Sequence, residues 1–296
     1  MSRLSPKRQQ GFGLLVFVLI ATTIALSLVL GYSGLLTRQE AQQRTAKLQA
    51  YLSDARSQIL SFYGRNLAQI DSVSLGNNTS VNDLLAGGNV NVRYGLQAAL
   101  SKPLASDSGL YYRRVVLYMP SETDGDNPPN IAAFVNSGDF QSCTDMSKLC
   151  GTRTYVVFDS LTLEKSALAE TKHRLEEVAY KAQAYFKARM LLDPEHNVSV
   201  DYFRPAYGGC SPGLNDLQCL DTYTPLAVLS AGSWATQTNL PATIGLTNDE
   251  LISAWGDPIQ ASNLADSQTG SPPFTMMFRA PSPFGGFYSV TAVQQI

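Results

Sequence analysis

The pattern of apolar and polar positions changes abruptly at Phe12. Residues 12–37 (FGLLVFVLIATTIALSLVLGYSGLLT) hold no charged side chain, whereas the preceding MSRLSPKRQQG carries Arg3, Lys7 and Arg8 and no acid. At a helical rise of about 1.5 Å per residue, this 26-residue run is about 39 Å long, more than the roughly 30 Å hydrocarbon core of a bilayer. The pattern predicts a membrane-crossing helix. The run exceeds the apolar region of about 7–15 residues in a secretory signal peptide, and no A-x-A-like site closes it.

Beyond Arg38 polarity rises but helical spacing persists. Ala41, Ala46, Leu48, Tyr51, Leu52, Ala55, Ile59, Leu60, Phe62 and Tyr63 mark one stripe, which extends the helix to about Ile70, loosened at Gly31, Gly34 and Gly64. Residues 71–109, rich in Ser, Asn and Gly, read as loop with a short helix over 94–100. Strand patterns follow at 111–119, 131–135 and 154–158 and predict an antiparallel sheet. A second long helix is expected over 163–192, stopped by Asp193-Pro194. Its stripe is Leu168, Leu175, Val178, Ala179, Ala182, Tyr185, Phe186 and Met190. After a strand-like VSVDYF, Thr247 and Glu250 are spaced as a capping box ended by Gly256, and FTMMFRA and FYSVTAV close the chain as a hairpin.

With 44% hydrophobic and 16% charged residues, the 296-residue chain can bury a substantial core. Net charge is −2, and loss of the leader's Arg3, Lys7 and Arg8 leaves 19 basic against 24 acidic side chains. No basic run lies beyond the leader, so nucleic-acid binding is not expected. Cys143, Cys150, Cys210 and Cys219 lack the spacing of a zinc knuckle and read as two disulfides in an oxidising compartment. Three connectivities are open. Local pairing, Cys143 with Cys150 and Cys210 with Cys219, would close two small loops.

Candidate chemistry is sparse. Asp124 and Asp126 are calcium candidates, but the distal Glu of an EF-hand is missing and a solvated turn is the favoured reading; no other metal ligand set is visible. His173 and His196 read as solvated residues, and Trp234 and Trp255 as packing residues. The sequons at Asn77, Asn78 and Asn197 matter only in a eukaryotic secretory pathway. There is no G-x-S-x-G, HExxH, P-loop or G-x-G-x-x-G motif. These signals predict a protein that is not an enzyme and holds no cofactor.

Lys7, Arg8, Gln9, Gln10 and Gly11, followed by Phe12 and an unbroken apolar helix, resemble the processing site of type IV pilins and type II secretion pseudopilins. The resemblance implies that prepilin peptidase cuts after Gly11, that Phe12 becomes a methylated N-terminus, and that the helix is kept as a filament core. Most members carry a glutamate at the fifth mature residue, where it pairs with the terminal amine of a neighbouring subunit. Here that position is Val16, which implies a minor subunit at the filament tip, acting in assembly initiation. The order of an R-L-E helix, a cysteine loop, a W-G-D-P turn and a final hairpin is similar to the soluble heads of that family.

The expected fold is α+β. A long N-terminal helix, membrane-spanning in its first half, packs on an antiparallel-sheet head in two parts. The expected divisions are 1–11 (leader), 12–37 (membrane and filament core), 38–70 (amphipathic continuation), 71–160 and 161–296 (the head). Implied partners are other pilin subunits, prepilin peptidase, the inner membrane and a host-surface or secreted ligand at the head. The implied location is the bacterial inner membrane with the head in the periplasm, then a filament. The alternative is a single-span, membrane-anchored periplasmic binding protein of a secretion or conjugation complex.

Overall fold

The computed structural model describes residues 7–71, 81–119, 127–144, 154–196, 223–228, 230–231, 238–262, 273–283 and 285–294. Helix α1 (Lys7–Arg65) is a single 59-residue helix that contains no proline and runs through Gly31, Gly34 and Gly64. It is interrupted at Asn66, whose side-chain amide donates to the Phe62 carbonyl at 2.8 Å, and the chain turns again as α2 (Leu67–Asp71). Ala55, Ile59, Tyr63, Leu67 and Ile70 recur every three or four residues and are all buried.

The expected membrane crossing is overturned: among the described residues no helix is long and apolar enough to cross a membrane. The longest stretch of the apolar run with described side chains is 15–29. That stretch includes the polar residues Thr22, Thr23 and Ser27. The expectation of a membrane-spanning first half of this helix is corrected accordingly.

The chain divides into two compact units, Met1–Asp54 and Ala55–Ile296. In the second unit, α3 (Val81–Gly87) leads to β1 (Gln97–Leu100), β2 (Leu104–Ala105), β3 (Tyr111–Tyr112), β4 (Arg114–Met119), α4 (Ile131–Ser137) and β5 (Thr154–Asp159). Strands β1, β4 and β5 form an antiparallel sheet in the order β1-β4-β5, with Val116 opposite Ala99 on one side and Val157 on the other.

Two local expectations fail here for identifiable reasons. The helix expected over 94–100 is a turn followed by β1: Tyr94 and Gly95 both adopt positive φ (55° and 66°), which ends any helix. The strand expected over 131–135 is helix α4. Asn130 caps it by accepting from the Ala133 N–H at 3.0 Å, and Gly138 closes it at φ 73°. The capping residues outweigh the β-branched pattern, and Phe134 becomes the side chain that the helix buries.

Helix α5 (Leu161–Leu192) follows β5 directly, and beyond it lie β6 (Thr224–Pro225), β7 (Ser230–Ala231), β8 (Thr238–Asn239) and α6 (Leu240–Thr243). The last strands are β9 (Gln260–Ser262), β10 (Thr275–Pro281) and β11 (Phe287–Val293). The larger sheet has the order β11-β10-β9-β6, all antiparallel, and β10 pairs with β11 over seven consecutive positions. Alternate residues Met276, Phe278 and Ala280 of β10 turn inward and meet Leu175, Val178, Ala182 and Phe186 of α5 in one core. The expected stripe of α5 is largely the buried one, except that Leu168 and Tyr185 are half-buried while Glu164, Ala167, Thr171 and Arg189 join it.

A 3₁₀ turn over Asn248–Leu251 replaces the short helix expected after Thr247, with the capping box intact. The Thr247 N–H and hydroxyl donate to Glu250 Oε2 at 2.7 and 3.0 Å, and Lys181 of α5 donates to Oε1 at 2.5 Å. Burial pushes the Glu250 carboxyl up, but the bond from Lys181, the two from Thr247 and the Lys181 charge outweigh it and hold it at about 2.

Phe278 is fully buried at the centre of the larger core. Its truncation to Ala is expected to cost about 3–5 kcal/mol, read as a fall in urea midpoint with an unchanged slope. A cost below about 1 kcal/mol would mean that this sheet is not packed as described.

Candidate functional site

The most unusual chemistry of the head is a buried cluster of ionisable groups drawn from five segments. Tyr63 lies near the end of α1 and Asp71 at the end of α2. Arg113 sits between β3 and β4, Glu164 in the first turn of α5 and Trp255 in the loop before β9. Tyr63, Asp71, Glu164 and Trp255 are each at most 1% exposed, and Arg113 is 6% exposed.

The hydrogen bonds run in sequence through the cluster. The Tyr63 hydroxyl donates to Asp71 Oδ2, and Arg113 Nε donates to Asp71 Oδ1 at 3.0 Å. Ser160 secures the same place through the backbone, its Oγ accepting from the Arg113 N–H at 3.0 Å and its N–H donating to the Arg113 carbonyl at 2.9 Å. The Trp255 indole N–H donates to Glu164 Oε2 at 2.8 Å, whereas Glu164 Oε1 is buried with no hydrogen-bond partner.

One guanidinium therefore faces two buried carboxyls, and the electrostatics follow from that shortage. Burial, reinforced by the neighbouring Asp71, pushes the Glu164 carboxyl up to about 8, so that it is neutral at pH 7. Burial also raises Asp71, against the opposing bonds from Tyr63 and Arg113. The Tyr63 phenol is raised by burial first and then by Asp71, and it stays a donor. The arrangement holds a proton on Glu164 and an ion pair between Asp71 and Arg113 while joining α1, α2, the smaller sheet, α5 and the Trp255 loop. It supplies no nucleophile paired with a base, and its chemistry is that of a clamp.

The residues singled out from sequence lie elsewhere. Gly11 and Phe12 fall within α1, and their side chains are outside those described. Val16 is 40% exposed on that helix. Cys143 is fully buried and disulfide-bonded, and its partner is among Cys150, Cys210 and Cys219, which lie outside the described residues. Asp124, Asp126, Trp234, Asn77, Asn78, Asn197 and the VSVDYF segment also fall outside them. Among the described residues no group of three or more His, Cys, Asp or Glu is placed to hold a metal ion.

His173 is exposed and stands 3.7 Å from Glu177 on the same helix, while the His196 ring sits 3.1 Å from the Met190 carbonyl. The structure does not bring the two histidines into the buried cluster. Trp255 was expected to pack and does so, stacking on Tyr288 at 6.0 Å, but it also donates the bond that orients Glu164. The sequence signal for this site was Glu164 itself, an acid on the stripe that continues through Ala167, Thr171 and Leu175. Asp71, directly after the apolar Ile70, was the second.

Compared with known proteins, the chain matches no family model, no curated protein and no solved structure.

The proton on Glu164 makes stability depend on pH. The folded state keeps it to about pH 8, whereas the unfolded chain releases it near the ordinary glutamate value of 4.5. Stability is therefore full below about pH 4.5, falls as pH rises through 5, 6 and 7, and levels off above about 8. In Glu164→Gln, whose amide oxygen still accepts from Trp255, the urea midpoint is expected to change much less between pH 5 and pH 8.5 than in the parent. Equal changes in the two proteins would show that Glu164 does not carry the proton.

Proposed function

We propose that this chain is a structural subunit, and a minor one, of a pilus-like filament of the type IV pilin and pseudopilin kind. The observation that carries the reading is the state of α1. Leu15, Phe17, Val18, Leu19, Ile20, Ile24, Leu26, Leu28 and Val29 are each more than half exposed, on every side of the helix. Its hydroxyl residues do not relieve this apolarity. Thr22 donates to the Leu19 carbonyl at 2.9 Å, Thr23 to Ile20 at 2.8 Å and Ser27 to Thr23 at 2.6 Å, so the polar atoms are spent on the helix's own backbone.

A helix that is apolar all round is stable in water only when neighbours cover it. Burying one Leu, Val, Ile or Phe side chain stabilises by about 1.5–3 kcal/mol, so lateral packing against the equivalent helices of other subunits supplies a large driving force. The acid-free leader ending in Gly11, directly before Phe12, supports processing by prepilin peptidase with the helix retained. The disulfide at Cys143 supports a head that matures outside the reducing cytoplasm. Val16, an apolar side chain where most relatives in that family carry a carboxylate, supports a low-copy position at the tip over a repeating one. The head, braced by its buried clamp, is the part that meets a ligand or initiates assembly.

Two measurements test the reading together. In cells that contain the peptidase, mass spectrometry of the purified chain is expected to find Phe12 as a methylated N-terminus, and the chain is expected in sheared filaments. A double substitution, Phe17→Asp with Leu19→Asp, is expected to remove it from those filaments by at least about tenfold while leaving the urea midpoint of the head unchanged. A mature chain that begins at Met1, or filament recovery unaffected by the two charges, would refute the proposal.

A further inference from the structure

The outward face of the larger sheet carries an arginine held on three sides. Arg279, in β10, has its Cζ 3.5 Å from the ring centroid of Tyr223 and 3.8 Å from that of Phe287. At such distances each ring covers one whole face of a guanidinium, so the two rings occupy opposite faces. Arg279 Nε donates to Gln260 Oε1 of β9 at 2.8 Å. Tyr223 is itself fixed, its hydroxyl 3.4 Å from the Met277 sulfur.

This leaves the two terminal amino groups. No carboxylate pairs with Arg279 among the described residues, and its hydrogen bonding ends at Gln260. The side chain is half-buried, and partial desolvation lowers its proton affinity against the opposing influence of Tyr223. Ser289, its cross-strand neighbour in β11, is exposed. A flexible surface arginine loses about 2 kcal/mol of rotamer freedom when it grips an anion. Here the rings and Gln260 have removed that freedom beforehand.

We propose that Arg279, clamped between Tyr223 and Phe287, is a receptor for a single carboxylate group. A guanidinium presents paired N–H donors that match the two oxygens of a carboxylate, in one plane and with charge assistance. The rings select among anions. Stacked 3.5 and 3.8 Å from its Cζ, they fix the plane in which the guanidinium donors lie, and a planar carboxylate meets both donors in that plane. A tetrahedral phosphate has oxygens above and below that plane and matches it less well. Phe287, 52% exposed, leaves an outer ring surface against which the body of the ligand rests.

The site is independent of the filament reading and is tested on the full chain, ¹⁵N-labelled and kept soluble in detergent. Sodium glucuronate and sodium phosphate are titrated at constant ionic strength, and the Arg279 Nε–Hε resonance and the Ser289 amide are followed. Glucuronate is expected to shift both saturably, with half-saturation at about millimolar concentration, and phosphate to bind at least about tenfold more weakly. Arg279→Lys, which keeps the charge but loses the fork, is expected to abolish the Ser289 shift. Tyr223→Leu, which frees the guanidinium, is expected to weaken glucuronate binding about tenfold. Absence of a saturable shift, equal binding of phosphate, or a Ser289 shift that survives in Arg279→Lys would overturn the proposal.

Discussion

The head depends on one electrostatic constraint: two buried carboxyls, Asp71 and Glu164, share a single guanidinium, that of Arg113. Only one of them can be ionised comfortably, because a second unpaired charge in a low-dielectric interior costs several kcal/mol. Glu164 keeps its proton and Asp71 takes the ion pair. The cluster is placed where elements distant in the chain converge within one compact unit. Tyr63 and Asp71 belong to the end of α1 and to α2, Arg113 and Ser160 to the flanks of the smaller sheet, and Glu164 and Trp255 to the larger one. Its bonds are directional and buried, so each piece is fixed in register as well as in contact.

On either side of this clamp the head is ordinary in its physics. The larger core is α5 laid on the inner face of β10 and its neighbours, and the smaller is a three-stranded sheet capped by Phe134 of α4. Gly256 adopts φ +83° beside Trp255, and a Cβ there would stand 2.7 Å from that of Ala68, so the loop that delivers Trp255 needs glycine twice over. The apolar half of α1 has the opposite character: it is regular, internally satisfied and uncovered. The proposed function rests on this exposed apolar surface of α1 and not on the clamp.

Much of this fold was legible in the chain. The two long helices, the strands at 114–119, 154–159, 275–281 and 287–293, and the Thr247–Glu250 box follow from periodicity and capping chemistry that act over a few residues. Where sequence reasoning failed locally, a neighbour had decided the matter. Residues 131–137 look like a strand by composition but are a helix because Asn130 and Gly138 cap both ends, and 97–100 becomes a strand because β4 offers a pairing edge after the turn at Tyr94 and Gly95. The apolar run over 12–37 promised a bilayer crossing from its length alone, but among the described residues no helix is long and apolar enough to make one.

The sequence by itself determined the two long helices, the main strands and most of the stripe of α5 that faces inward, because those properties depend on spacing and on the residues a few positions away. It also determined that the stem of α1 is apolar on every side. Only the tertiary structure decided that Tyr63, Asp71, Arg113, Glu164 and Trp255 meet, that Glu164 is a neutral acid, and that Arg279 is held between Tyr223 and Phe287. These depend on distances between groups as far apart as 192 positions in the chain. Burial and Coulomb energy depend on those distances in space, which no local pattern encodes.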